Sequence, residues 1–529
     1  MNRSRLRQAF SIGVGIGTIC CLSVPSVTGQ TVAYEVKHDL SLPVWALATT
    51  RTARTGAVDR EEVDGRQPKA LHAVARTAKS VRDAVGQPSS LARLSVTGGL
   101  NFDGVVGTGY APPDTNGAIG ATQYVQWVNT RFAVYSKTTG QKLLGPTAGY
   151  YFWQGFGGPC QNQNQGDIVA QYDKAAGRWV MTHRASQTNG PYLECVAVSV
   201  TSDATGSYYR YAFPNPFDNY FTDYPKLAVW PDGYYFSADL QDQNNHFRPQ
   251  GSMVCAFDRN NMLQGNTATE QCFLVPNTTV YSLLPSDVDG QTAPPAGSPN
   301  YFVNLDAANN ALDLWQFQVD WSNPSNSTFT GPTILSVSTF TEACNGGFCI
   351  PQANTSQVVD SLGDRVMYRF AYRNFGSYES LLVTHSVNSG SSVGVRWYEI
   401  RNPESNPPTL YQQGTFAPDS NYRWMPSIAQ DRLGDIAVGY SVSSSSMYPS
   451  IRYTGRVPSD ALGTMEAENS IKSGGGSELP GNNRWGDYTA MTVDPVDDCT
   501  FWYTNEYYST SSIKSWRTRI TSFKFSTCQ

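Results

Sequence analysis

DYPKLAVWP (Asp223–Pro231) and DYTAMTVDP (Asp487–Pro495) stand far apart in the chain and follow one pattern. Each begins Asp-Tyr, alternates small or apolar residues with polar ones, and ends on Pro before an acidic turn. Each then runs into an aromatic segment, YYFSADL or TFWYTNEYY. Alternation with a period of two, bounded by turn residues, is the signature of paired β-strands, so both stretches read as the same hairpin.

The same opening recurs seven times: DTNGAIGATQYVQWVN from Asp114, GDIVAQYDKAAGRWVMTHR from Gly166, DYPKLAVWPDGYYFSADL from Asp223, SDVDGQTAPPAGSPNYFVNLD from Ser286, GDRVMYRFAYRNFGSYESLLVTHS from Gly363, MPSIAQDRLGDIAVGYS from Met425, and GDYTAMTVDPVDDCTFWYTNEYY from Gly486. Further strand candidates follow the openings, among them RFAVYSK, SMVCAFD, LDLWQFQVDW, VRWYEIR, SIRYTGR and TRITSFKF. Small four-stranded antiparallel sheets repeated radially make a β-propeller, in which each sheet buries both faces against its neighbours. The expectation is an all-β fold: a seven-bladed propeller of four-stranded blades over residues 96–529. The stretch RLSVTGGLNFDGV (Arg93–Val105) is placed as the outer strand of the last blade, closing the ring. Two stacked β-sandwiches would not account for one hairpin written seven times.

Composition agrees. Of 529 residues only 15% are charged while 12% are aromatic, and 46 Gly and 31 Pro suit a turn-rich extracellular β protein. A net charge of −5 with no basic stripe argues against a nucleic-acid partner. Residues 1–30 read as a secretory signal: basic MNRSRLRQ, apolar AFSIGVGIGTICCLSV, then the small and polar PSVTGQT. Ile19 and Cys20 stand where a lipoprotein signal needs a small residue before its cysteine. No later run is long and apolar enough for a membrane span, so no membrane partner is expected. Residues 31–95, with one candidate helix in ALHAVARTAKSVRDAVG, read as a linker or pro-segment, poorly structured or loosely packed. A closed ring has no free edge to pair, which points to a monomer. Eight cysteines remain after the signal, and sequence neighbourhood suggests Cys160 with Cys195, Cys255 with Cys272, Cys344 with Cys349, and Cys499 with Cys528.

In a propeller, the starts of innermost strands and the ends of second strands converge on one face. Strand starts supply Asp114, Asp167, Asp223, Asp287, Asp364 and Asp487, with Arg365, Arg423 and Arg484 beside them. Strand ends supply His183, Asp239, His385, Tyr440 and Glu506. A repeated Asp can simply pin a tight turn by accepting backbone N–H bonds, or it can form a cation site or catalytic acid at the channel mouth. Asp114-Thr-Asn116-Gly117 resembles part of a calcium loop without its downstream Glu, so calcium is an option and no cofactor is required. Three arginines on one pocket would clamp a carboxylate, sulfate or phosphate; alternatively each pairs with a neighbouring blade's Asp.

YRWMPSIAQD, followed by a Gly turn and an apolar second strand, resembles the Arg-bearing first strand of sialidase-like propellers. LGDRVMYRFAYRNF, PTLYQQGTFAPD, YPSIRYTGR and RWGDYTAMTVDPVDDCTFWYTNEYY are similar to a family of secreted bacterial propeller proteins, over nearly the whole chain after residue 100. That likeness implies fold and little function. The sialidase Asp-box, Ser-x-Asp-x-Gly-x-Thr-Trp, is absent, and the repeat number is seven where sialidases have six.

The leading expectation is a secreted glycoside hydrolase acting on an extracellular polysaccharide or other glycan. Glu506, Asp487 and Asp364 are then acid, base or nucleophile, with Arg365, Arg423 and Arg484, aided by His183 and Asp239, as substrate contacts. A polysaccharide lyase would use His385 or His183 as base and Tyr440 or Tyr368 as proton donor. A non-catalytic glycan-binding propeller is the competing class. Serine-hydrolase and nucleotide chemistry are set aside, and no GxxxxGK[ST] loop is present.

Overall fold

A computed structural model describes residues 27, 29–49, 58–59, 83–87, 93–107, 109–185, 192–217, 220–245, 248–276, 280–481 and 483–528. The signal segment and most of the helix expected over residues 70–86 lie outside the described residues.

Each of the seven openings forms an antiparallel hairpin, because its alternating residues fill the space on either side of a strand. Two further strands extend each hairpin. The first set is Asn116–Ile119, Gln123–Val128, Arg131–Ser136 and Lys142–Ala148. The second is Val169–Asp173, Arg178–Ala185, Leu193–Ser199 and Tyr208–Pro214, and the third is Phe221–Val229, Tyr234–Asp242, Arg248–Phe257 and Thr269–Val275. The fourth comprises Leu284–Asp289, Asn300–Asp306, Ala311–Gln318 and Thr328–Ser336, and the fifth Met367–Asn374, Glu379–Ser389, Ser392–Arg401 and Thr409–Phe416. The sixth is Tyr422–Gln430, Ile436–Ser444, Met447–Arg456 and Asn469–Lys472. The last takes Ala490–Val493, Phe501–Tyr507 and Arg517–Phe525 from the C-terminal end and Val96–Val106 from near the N-terminus.

The first strands of successive sets pack side by side, and Ala490–Val493 returns to Asn116–Ile119, so the order is cyclic. Such an all-β ring of antiparallel sheets is a propeller arrangement. Burial follows: every residue of Phe221–Val229 and Val169–Asp173 is buried, whereas Val96–Val106, at the rim, is largely exposed. Between the fourth and fifth sets the first strands approach closely enough to pair in parallel, from Ser286 opposite Phe370 to Asp289 opposite Arg373. The fourth hairpin correspondingly pairs only at Leu284–Val303 and Pro285–Phe302, which explains its irregular sequence.

All four cysteine pairings suggested by neighbourhood are present: Cys160–Cys195, Cys255–Cys272, Cys344–Cys349 and Cys499–Cys528. No helix among the described residues is long and apolar enough to cross a membrane.

The expectation of a poorly structured N-terminal segment is corrected for residues 31–49. Thr31–Tyr34 adds a fifth strand beside Thr269–Val275, and Lys37–Leu40 adds one beside Tyr208–Pro214. Asp39 takes both sides of the Arg210 guanidinium at 2.8 and 2.7 Å, and Val44 and Leu47 of the following helix are buried. Composition did not reveal this because an edge strand is held by main-chain hydrogen bonds, which need no apolar face. Farther along, Asp83 pairs with Arg396 at 2.7 Å and Gly86 bridges Thr415.

Candidate active site

The first strands begin at an unusual backbone geometry. Asp114 (φ 48°), Asp167 (52°), Tyr224 (51°), Ser282 (55°), Met425 (51°) and Asp487 (54°) are all left-handed, a region costly to non-glycine residues. The repeated kink falls on Asp at three of these six positions, Asp114, Asp167 and Asp487, and around them charge gathers.

Arg184, at the end of its strand, reaches Asp167 at 3.0 Å and Asp223 at 3.1 Å, joining the second and third sets, while the Phe221 ring covers its guanidinium. Asp223 also accepts the Gln241 amide at 2.7 Å. Arg484 pairs with Asp487 at 2.5 Å. Gly486, one residue earlier, donates its N–H to Glu506 Oε2 at 2.9 Å. Tyr224 donates to the Asp487 carbonyl at 3.2 Å and Tyr488 to Asp167 at 3.4 Å, so two phenols tie the last set to the third and to the second across the centre. Asn129 donates to Asp114 at 3.0 Å. Lys226 lies among them, with its ammonium 3.4 Å from the centre of the Tyr224 ring and 4.3 Å from that of Tyr488.

Burial dominates the electrostatics. It raises the Asp114 carboxyl well above the usual carboxylate range, and the charges of Asp167 and Asp487 push the same way. Burial, then the neighbouring Glu478, does the same to Glu506, against the opposing Gly486 N–H. Glu478 is pushed up to about 8 by burial, with Arg484 opposing. Asp114 Oδ1, Glu506 Oε1 and Glu478 Oε1 have no hydrogen-bond partner among the described residues. Burial thus favours the protonated form of all three acids, beside Asp487 held in an ion pair.

The other expected residues divide by position. Asp364 and Arg365 pair with each other at 2.9 Å, and Arg365 sits 4.6 Å from the Tyr224 ring centre, which brings it to the edge of the cluster. Asp239 accepts from Ser252, from the Ser282 N–H at 2.7 Å and from the Ser282 hydroxyl, pinning the entry to the fourth set. Arg423 lies apart: its guanidinium is taken by Glu468 on two sides at 2.9 Å and by Asp419 at 2.8 Å. Tyr440 donates to the same Glu468 at 2.8 Å. His385 is fully buried, contacts the Tyr398 hydroxyl at 2.9 Å and is held well below its usual range by burial and by Arg396. His183 bonds the Gln163 carbonyl at 3.1 Å, and burial lowers it to about 3. Neither histidine carries charge at neutral pH.

Beneath the mouth the channel is filled. Tyr368 and Asp287 both accept from the Gln171 amide, at 2.5 and 3.0 Å, and Arg369 spans Asp287 and Asp289 at 2.7 Å each. A small open cleft lies at the far end of these strands, between Trp230 and Pro294. Its charged residues are already paired, Arg259 with Asp173 and Lys174 with Asp289, and it is remote from the carboxyl cluster.

For calcium, the Asn116 carbonyl oxygen is already bonded by the Ala170 N–H at 2.8 Å, and Asp114 keeps one unpartnered oxygen. Among the described residues the two groupings of acidic and sulfur ligands close enough to share an ion each include a disulfide, Cys255–Cys272 or Cys499–Cys528, whose sulfurs are not thiolate ligands.

Sequence reading passed over Arg184, Lys226, Glu478 and the paired Tyr224 and Tyr488. Lys226 did carry a signal, as the one cation inside the otherwise apolar inner strand of DYPKLAVWP.

No protein-family model matches the chain, and no curated protein matches it. Among solved structures it is similar to a protein of unknown function from Dyadobacter fermentans (9% identity over 68% of this chain and 94% of that one, TM-score 0.35). It is similar also to a Trypanosoma rangeli sialidase in complex with sialic acid (10% identity, 66% and 52%, TM-score 0.32). A third is a Podospora anserina α-L-arabinofuranosidase in complex with cellotriose (11% identity, 59% and 93%, TM-score 0.28).

Proposed function

We propose that the chain is a secreted glycoside hydrolase on a seven-bladed propeller, acting on an extracellular glycan at the mouth where the first strands begin. One observation carries the reading: Glu506, kept protonated by burial and by Glu478, is fastened to Gly486, and the next residue, Asp487, is ion-paired to Arg484. A protonated acid beside a carboxylate is the pair that glycosidic cleavage needs. Glu506 gives its proton to the departing glycosidic oxygen while Asp487 attacks the anomeric carbon or deprotonates a water that does. Arg484 positions Asp487, and the uncharged Asp114 spares the site a further negative charge. Four disulfides suit an oxidising compartment, which supports secretion.

A non-catalytic glycan-binding propeller is favoured by a different observation, the burial of every carboxyl group in the cluster. The lyase variant asks for a histidine base, and both candidates are engaged, His183 at a carbonyl and His385 at Tyr398. The test is incubation of the mature protein with neutral, uronate-bearing and sulfated polysaccharides, with and without EDTA, following reducing ends and unsaturated uronate absorbance together. Reducing ends alone, lost in Asp487→Asn, support hydrolysis, and sensitivity to EDTA supports calcium. Added absorbance indicates a lyase, and retention on a glycan without turnover indicates the binding module.

A further inference from the structure

Three arginines were expected to clamp an anion, yet each is committed within the protein. Arg365 is bonded to Asp364, Arg423 to Glu468 and Asp419, and Arg484 to Asp487. Arg184 is likewise shared between Asp167 and Asp223. Lys226 differs from all of them.

Its strand enters through left-handed Tyr224, and the register against Tyr234–Asp242 slips between Asp223 and Lys226. That bulge leaves Lys226 buried between Tyr224 and Tyr488, beside the carboxyl cluster. The ammonium donates to the Pro225 carbonyl at 2.9 Å and to the Tyr224 carbonyl at 3.4 Å, and otherwise meets ring faces. Among the described residues no carboxylate forms an ion pair with it. Asp167 and Asp487 favour its charge without hydrogen bonding to it, while burial pulls it down to about 8. Arg365 lies against Tyr224 as well, so two cations share that ring. A desolvated ammonium held by carbonyls and aromatic faces is incompletely compensated, and an incoming anion would complete it.

We infer that Lys226 is the anion-recognition group of the mouth, binding a carboxylate or sulfate borne by the glycan. The inference rests on the glycan reading above and narrows it to acidic sugars. Tyr224 and Tyr488 orient the ammonium, and their faces exclude water from the contact. The arginines instead position the protein's own carboxylates.

The experiment is titration calorimetry of the mature protein with an oligogalacturonate, with the same oligosaccharide after carboxyl reduction, and with a sulfated galactan oligosaccharide. Wild type should bind one charged probe at least tenfold more tightly than the neutral one, and the probe that does so names the anion. Lys226→Met should bring that ratio near one, and Lys226→Arg should restore part of it. Thermal unfolding checks that both variants are folded. Three outcomes overturn the inference: a wild type with no charged preference, a Lys226→Met that keeps it, or equal loss of charged and neutral binding. The first can be read even if both variants misfold. Wild type that never releases reducing ends but loses its preference in Lys226→Met would sink hydrolysis and leave this inference standing. Hydrolysis of neutral glycan with no charged preference would do the reverse.

Discussion

Glu506 Oε2 accepts the Gly486 N–H at 2.9 Å, which ties the end of one strand in the last sheet to the turn that presents Asp487. A glutamine at 506 keeps an acceptor for that N–H and loses the acidic proton. Glu506→Gln should therefore fold normally and lose about 10²- to 10⁴-fold in kcat/KM, the usual worth of a general acid. Steady-state kinetics on the best glycan substrate measures this, and activity within a few-fold of wild type would remove Glu506 from the mechanism.

Glu194 predicts a stability that falls as pH rises. Burial pushes it up to about 8 from an ordinary 4.5, with Arg184 opposing, and neither of its oxygens has a partner among the described residues. Between those values the folded protein holds a proton that the unfolded chain has released. The stability it contributes is thus complete below about pH 4.5 and is lost as pH rises through about 8, at up to about 1.4 kcal/mol per pH unit. Glu194→Gln removes the titration, so its melting temperature should exceed wild type at about pH 8.5 and match it near about pH 4.5. A difference that does not change with pH would contradict this origin.

Arg423 should behave as a stability residue. Its side chain is buried and fully occupied by Glu468, Asp419 and the Asn421 carbonyl. Arg423→Ala leaves Glu468 without its main partner and should cost about 3 kcal/mol in urea unfolding, with KM little changed. Unaltered stability with a raised KM would return Arg423 to the substrate.

The contrast between Arg423 and Glu506 shows what could be read from sequence. Hairpins were legible because alternation survives in strands buried on both faces, and the closing role of residues 93–105 followed from the ring needing a last strand. Asp114, Asp167 and Asp487 were legible because the same backbone kink recurs at each. Which arginine meets which acid was not, since Arg423 and Glu468 stand 45 residues apart and Arg184 and Asp223 stand 39 apart, brought together only by packing between strands and sheets. Lys226 escaped because a charge in an inner strand looks like an interruption until the bulge aims it at the centre. Thr31–Tyr34 escaped because edge pairing uses the main chain.

Closure of the ring supplies the last prediction. Val96–Val106 pairs along Arg517–Phe525, and Gln126 of the first set seals the joint: its Oε1 accepts the Val105 N–H at 2.8 Å, and its Nε2 donates to Thr504 at 2.7 Å and Thr518 at 2.9 Å. Gln126 is wholly buried, so Gln126→Ala leaves the Val105 N–H and the Thr504 hydroxyl without this partner in a dry interface, while Thr518 keeps its bond to the Val105 carbonyl at 2.7 Å. Each unsatisfied group costs about 1–3 kcal/mol, and local relaxation recovers part of the sum, so a net loss of about 3 kcal/mol in urea unfolding is expected. Deleting residues 1–82 bares the outer edges that residues 31–40 cover but keeps Val96–Val106 and a closed ring, whereas deleting 1–107 also opens the ring at the Arg517–Phe525 edge and should aggregate more strongly. Light scattering and circular dichroism on the two truncations measure the difference, and a monomeric, cooperatively folding 1–107 deletion would show that the ring holds without this strand.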